Sequence, residues 1–179
     1  SAARTAAWSS SGMPGEQTPR GTDRMDAIRP PSDGAVQCGV DVVSIERIAG
    51  LLTEFGDSFR ERVYAPVERA YCESRGDPPQ HYAARWAAKE AFLKAVDDDA
   101  PPVPLHAIGV RHDGDAPVLE LSPPAMEAAA TTIGAAGETG RIGTAVSLSH
   151  DRHADVAAGQ VLVFDRERLD SGDGGGAHR

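Results

Sequence analysis

Lysine is almost missing from this chain. Of its 18 basic residues only Lys89 and Lys94 are lysines; the other 16 are arginines, and both lysines fall in one short stretch beside Glu90. Cysteine is as scarce: Cys38 and Cys72 lie 34 positions apart with no Cys-x-x-Cys pattern. That excludes a disulfide framework or a zinc ribbon and predicts two small buried hydrophobes. Aromatic residues make up 5%, so the core must be largely aliphatic. No apolar run approaches the roughly 20 residues that cross a bilayer. The first residues, Ser-Ala-Ala-Arg-Thr-Ala-Ala-Trp-Ser, lack the apolar centre of a signal peptide, so a soluble cytoplasmic protein is expected. Positive charge is in deficit too, with 27 acids giving a net charge of -9. This excludes a protein coated in nucleic acid or held to an anionic membrane by a basic face.

What remains suits one domain in 179 residues. Residues 1–34 are rich in Ser, Gly, Pro, Thr and Arg without sustained periodicity, and are expected to be a disordered tail. Residues 167–179, with Gly-Asp-Gly-Gly-Gly, are expected to be a flexible C-terminal tail. The domain is therefore placed at residues 35–166. Its pattern predicts a strand over 36–43 and a helix capped by Ser44 that is punctuated at Gly56-Asp57. Short helices follow around 58–64 and 66–73, then a long helix over 80–96. After a loop come strands over 105–111 and 118–121, a helix over 123–136, and strands over 143–149 and 154–164. Strand, helices, two strands, helix, two strands points to an α+β domain with a small antiparallel sheet packed against the long central helix.

The 80–96 helix is unusual. Tyr82, Trp86, Leu93 and Val96 share one arc, and alanines 83, 84, 87, 88, 91 and 95 cover the opposite side, where a surface helix would be polar. Close packing on both sides is expected. Against that background Arg85, Lys89, Glu90 and Lys94 stand out, because an unpaired buried charge costs several kcal/mol. One reading is a Glu90–Lys94 pair on a solvated edge, worth roughly 0.3–0.5 kcal/mol. The other is a carboxylate flanked by cations that binds a divalent metal together with phosphates. Asp41, at the end of the first strand, is either the second carboxylate or a capping acid. Ser149 and His150 end a strand, and adjacent strand residues point to opposite faces. They therefore suit phosphate hydrogen bonding or a turn better than a nucleophile–base pair. His81, His106, His112 and His153 carry no second feature and stay unassigned.

Three segments, Gly39-Val40-Asp41-Val42-Val43-Ser44-Ile45-Glu46-Arg47-Ile48, Arg85-Trp86-Ala87-Ala88-Lys89-Glu90-Ala91-Phe92-Leu93-Lys94-Ala95 and Val146-Ser147-Leu148-Ser149-His150, closely resemble the 4'-phosphopantetheinyl transferases of the short, single-module class. Residues 59–68 are similar to the family's segment between the first two motifs. The resemblance implies transfer of the 4'-phosphopantetheine arm of coenzyme A to a serine of an apo acyl carrier protein, releasing adenosine 3',5'-bisphosphate. It implies Mg²⁺ on Asp41 and Glu90. It also implies Glu90, or a water it orients, as general base and Lys94 as the group that stabilises or protonates the leaving phosphate. Arg85, Lys89, Lys94, Ser149 and His150 are implied holders of the CoA phosphates. Arg47, Arg60 and Arg62 form the implied patch for an acidic carrier helix, and a homotrimer with shared active sites is implied. One departure stands out: the family's glycine-containing turn after the central helix is replaced by Val96-Asp97-Asp98-Asp99-Ala100-Pro101-Pro102, an acidic loop that would repel CoA unless it points away or helps recruit cations.

Two other classes of function fit parts of this pattern. A non-catalytic CoA or carrier-protein binder would not need the two carboxylates. A Mg²⁺-dependent phosphate-ester or pyrophosphate hydrolase would need no carrier dock. The net charge also hides a local contrast, since residues 96–179 hold 14 acids and six bases whereas residues 81–95 hold Arg85, Lys89 and Lys94 against Glu90 alone.

Overall fold

A computed structural model describes residues 36–96, 99–114 and 116–171. The tail expected over 1–34, Asp97 and Asp98 of the acidic loop, and the residues after Ser171 lie outside the described residues. The elements are β1 (Val36–Val43), α1 (Ile45–Val63), α2 (Pro66–Glu73), α3 (Pro78–Ala95), β2 (Ile108–Asp113), β3 (Ala116–Leu121), α4 (Pro123–Thr132), β4 (Ile142–Asp151), β5 (Val156–Asp165) and α5 (Arg166–Ser171). Strands β1, β5 and β4 form an antiparallel sheet in that order, with Val36 opposite Phe164 and Val43 opposite Ala157. Strands β2 and β3 form a separate hairpin.

The central helix α3 lies across β1 and β5, and its alanines make that approach possible. Ala83, Ala84, Ala87, Ala88, Ala91 and Ala95 are all buried. The sheet meets them with glycine: a Cβ on Gly39 would fall on the Ala91 carbonyl oxygen and 2.8 Å from the Ala95 nitrogen. A Cβ on Gly159 would strike the Ala87–Ala88 backbone in the same way. The side chains that fill the remaining space form two clusters. One gathers Phe92, Ile108, Val161 and Val163 with the alanines of α4; the other gathers Ile45, Ile48, Leu52, Tyr64, Cys72 and Tyr82 between α1, α2 and α3. Burial pushes the Cys72 thiol up to about 12, so it stays protonated and behaves as a small hydrophobe.

Several boundaries differ from the expected ones, each for a local reason. Residues 45–63 run as one helix kinked at Gly56, where φ is 53° and ψ -131°, so the expected break becomes a bend that only glycine adopts easily. Leu105–Ala107 is a 3₁₀ turn before β2. Helix α4 stops at Thr132, and Gly134, with φ 71°, reverses the chain. Ordered structure continues past the domain end expected at 166. Asp165 accepts hydrogen bonds from the Glu167 and Arg168 backbone N–H groups and opens α5. Cys38 is exposed rather than buried. It shares with Val40 and Val42, 52% and 60% exposed, the sheet face opposite α3. No described element of this chain covers that face.

Candidate active site

Asp41 reaches the helix side of β1 because Cys38, Val40 and Val42 take the outward positions of the alternation. Glu90 and Lys94 come from α3 one turn apart, on neighbouring positions of one helix face. The ammonium of Lys94 donates to Asp41 Oδ1 at 2.8 Å and to the Val40 carbonyl at 3.1 Å. Arg47, in the first turn of α1, acts on the same centre. Its backbone N–H donates to Ser44 Oγ at 3.0 Å, which fixes the start of that helix. Asp155 holds the same end from the β4–β5 turn, accepting from Ser44 Oγ at 2.6 Å and the Glu46 N–H at 2.7 Å; these bonds draw its carboxyl below the usual range.

Glu90 is half-buried, and burial pushes its carboxyl above the ordinary glutamate range. The Asp41 charge pushes it further, while Lys94 and Arg47 pull it back. A half-buried carboxylate beside a second one, with a lysine bonded to that second one, suits a hard divalent cation. Mg²⁺ takes one or two protein carboxylates and leaves its other positions to substrate oxygens and water. No group of three metal-ligating side chains occurs among the described residues. Because folding raises the Glu90 pKa, its stabilising contribution is present below the ordinary glutamate value and is lost as pH rises through the raised one. Asp41→Asn removes the repulsion, so Glu90 should titrate lower in this variant than in wild type, both without Mg²⁺. Carboxyl NMR titration checks this, and identical midpoints would mean the two groups do not interact.

A second row on α3 carries His81, Arg85 and Lys89 at successive four-residue intervals. Arg85 is 1% exposed, with its guanidinium 4.0 Å above the Tyr71 ring and Nη1 donating to the His81 carbonyl at 3.2 Å. Its Nε and Nη2 are buried without a hydrogen-bond partner. Arg85 lines a pocket of about 210 Å³ with Tyr71, His81, His112, Leu148 and His150. The His81 and His150 rings meet edge-to-face at 5.2 Å, and the Tyr71 and His112 rings stack at 4.5 Å. Burial lowers the His81 pKa, and His150 and Arg85 lower it further. Buried guanidinium nitrogens without a partner are costly, and an anion entering this pocket would satisfy them.

Three expected site residues sit elsewhere. Lys89 does not face a phosphate: it is 0% exposed, and its ammonium donates to Glu68 Oε2 at 2.8 Å, to the Leu105 carbonyl at 3.1 Å and to the Ile108 carbonyl. Ser149 points to the open sheet face, away from the pocket that His150 lines, as the strand alternation requires. Arg60 is tied to Asp57 and Glu73 by ion pairs at 3.3 Å each, so it is not a free member of a docking patch. Arg47 and Arg62 are exposed, and Arg62 lines an apolar groove of about 660 Å³ with Leu51, Phe55, Phe59, Trp86 and Leu105. Phe59 and Trp86 stack at 5.7 Å, and Trp86 lies one turn before Glu90 on α3. Sequence reasoning missed Glu68, Tyr71, His81 and His112. For His81 a signal existed, the four-residue spacing to Arg85; the others meet the site only through tertiary packing.

Residues 37–130 match the family model of the 4'-phosphopantetheinyl transferase superfamily. The chain belongs to that superfamily. Curated relatives in the family agree over most of its length. A holo-[acyl-carrier-protein] synthase of Syntrophus aciditrophicus is 38% identical over 129 residues, covering 71% of this chain and 93% of that relative. One from Myxococcus xanthus is 39% identical, covering 70% and 91%. Among solved structures, the Neisseria meningitidis synthase superposes with a TM-score of 0.59 at 30% identity, over 72% of this chain and 98% of that one. The synthase–CoA complex recorded for Chronobacterium ammoniagenes gives 0.58 at 34% identity, over 73% and 98%. The α+β architecture is thus that of the family's single-module synthases, which are transferases. The motif match spans β1 to α4 and so includes Asp41, Arg85, Glu90 and Lys94.

Proposed function

We propose that the protein transfers the 4'-phosphopantetheine arm of coenzyme A to a serine of an apo acyl carrier protein, releasing adenosine 3',5'-bisphosphate. The observation that carries this reading is the Asp41–Glu90 pair with Lys94 bonded to it, one helical turn from an apolar groove edged by Arg62. Asp41 and Glu90 would hold Mg²⁺, which when bound neutralises charge on the CoA pyrophosphate. Glu90 accepts the proton of the attacking serine hydroxyl, directly or through a water it orients. Lys94 offers its ammonium to the departing phosphate, where negative charge builds as the bond to the pantetheine-bearing phosphorus breaks. Arg85 and His150 hold a CoA phosphate in the histidine-lined pocket. An acidic helix of the carrier docks along α1 against Arg47 and Arg62, with its apolar side chains in the groove of Leu51, Phe59 and Trp86.

A homotrimer with shared sites accommodates two features that a lone chain leaves unexplained. The sheet face carrying Cys38, Val40 and Val42 is apolar and open, and Ser149 points onto it rather than toward its own chain's Arg85 pocket. Arg85 and Glu90 lie five residues apart on α3, about 140° around the helix. Val42→Arg should give monomers by light scattering, and a trimer in that variant would remove this face from the assembly. Cys38 and Cys72 are free thiols, in keeping with the reducing cytoplasm as the place of action. The function itself is tested by incubating the protein with CoA, Mg²⁺ and an apo carrier protein and weighing the carrier by mass spectrometry. Gain of one phosphopantetheine arm is expected; hydrolysed CoA with an unchanged carrier would make the protein a hydrolase instead.

A further inference from the structure

Two fully buried opposite charges meet at Lys89, the residue before Glu90 on α3. Lys89 and Glu68 are each 0% exposed and 2.8 Å apart. The pair does more than neutralise itself. Glu68 Oε2 also accepts the Ala65 N–H at 2.8 Å, closing the first turn of α2, and its Oε1 accepts the Val110 N–H of β2 at 3.1 Å. Lys89 donates its other two hydrogens to the Leu105 and Ile108 carbonyls. Four segments, α2, α3, the 105–107 turn and β2, therefore meet at one ion pair whose hydrogen-bonding capacity is almost wholly used.

A buried ion pair is weak evidence for stability. Taking two charges out of water costs several kcal/mol each, and a well-packed apolar pair is often as good. What such a pair supplies is a unique geometry, and α3 needs one. The face it turns to the sheet is alanine against Gly39 and Gly159, with no large side chain in that contact, which leaves its freedom to rotate to be limited by contacts elsewhere on the helix. Lys89 removes that freedom from the opposite side. With its ammonium fixed at three acceptors, the next residue around the helix, Glu90, is held toward Asp41, and Lys94 toward the Asp41 carboxylate and the Val40 carbonyl.

We propose that the Glu68–Lys89 pair is a positioning element for the transfer reaction, locking the rotation and register of α3 so that Glu90 and Lys94 meet Asp41, and that Lys89 does not contact coenzyme A. This rests on the transferase reading above. A displacement of about 1 Å at a reacting group costs roughly 10²-fold in rate, so the pair acts strongly without touching substrate.

The test is steady-state kinetics of full-length Lys89→Met with saturating Mg²⁺ and carrier, together with a Mg²⁺ titration followed through the Asp41 and Glu90 amide signals. The expected result is a kcat lower by about 30- to 100-fold, a KM for CoA within twofold of wild type, and weaker Mg²⁺ binding in a folded protein. A raised KM for CoA with kcat preserved would make Lys89 a substrate ligand and overturn the proposal. A folded variant with unchanged kcat and Mg²⁺ affinity would overturn it too. Glu68→Asp, which keeps both charges but shortens the carboxylate by one methylene, guards against a variant that fails to fold. It should lower kcat at constant KM, and wild-type kinetics in it would count against positioning. If wild type itself transfers nothing, the transferase reading fails, while the Mg²⁺ titration still reports on the geometry of Asp41 and Glu90.

Discussion

Glu90→Gln should lose transfer activity by roughly a thousandfold or more while keeping its fold, with a melting temperature equal to or slightly above wild type because a disfavoured charge is removed. The substitution preserves volume and helix propensity at a half-buried position, so packing against α3's neighbours is unchanged. What it removes is charge and basicity. The amide cannot accept the serine proton, and it leaves Asp41 as the sole carboxylate for Mg²⁺ beside a lysine already bonded to it at 2.8 Å. The loss should therefore fall on kcat and on Mg²⁺ affinity, with CoA binding at the Arg85 pocket retained. Isothermal titration with CoA and the carrier mass assay separate these effects. Near-normal transfer by Glu90→Gln would sink both the base and the metal assignment.

Gly39→Val should be the most damaging change outside the charged residues. Even a single Cβ at this position would overlap the Ala91 carbonyl oxygen, and backbone cannot swing aside as a side chain can. Relief requires lifting α3 off β1, which opens the Ala91–Phe92–Ala95 packing and moves Glu90 and Lys94 away from Asp41 together. Overpacking of this kind costs about 3 kcal/mol or more, roughly 10 °C in melting temperature for a domain of this size. Thermal unfolding checks the stability, and the Mg²⁺ titration of whatever folded protein remains checks the site. Gly50→Ala is the contrast: a Cβ there meets nothing within 4 Å, so the melting temperature should hold or rise slightly. A Gly39→Val variant as stable as Gly50→Ala would show that the close approach of helix and sheet is not required.

The two effects have one origin. The alanine–glycine interface brings the helix near enough for Lys94 of α3 to pair with Asp41 of β1, and the buried Glu68–Lys89 pair on the far side keeps the helix from turning. Close approach and fixed rotation are separate requirements, met by different residues on opposite faces of one helix.

Much of this was legible in the chain itself. The alternation of residues 36–43, the Ser44 cap and the alanine face of the central helix are local patterns, and local patterns follow from backbone geometry and side-chain period. The ordered motifs around Asp41, Glu90 and Ser149 carried the resemblance to the family, and the resemblance, not the residue types alone, implied the chemistry. The destination of each charge was another matter. Lys89 and Lys94 are five residues apart on one helix, which puts them about 140° apart around its axis. One turned out fully buried against Glu68 and the other exposed against Asp41, because different elements pack on those two sides. Arg60 found Glu73 across the α1–α2 turn, and Arg85 found Tyr71 and three histidines from α3, β2 and β4. Sequence alone determined most of the elements and the class of fold. Tertiary structure decided which of those residues are free to meet a ligand, because burial and hydrogen-bond partners arise from chain segments far apart in sequence.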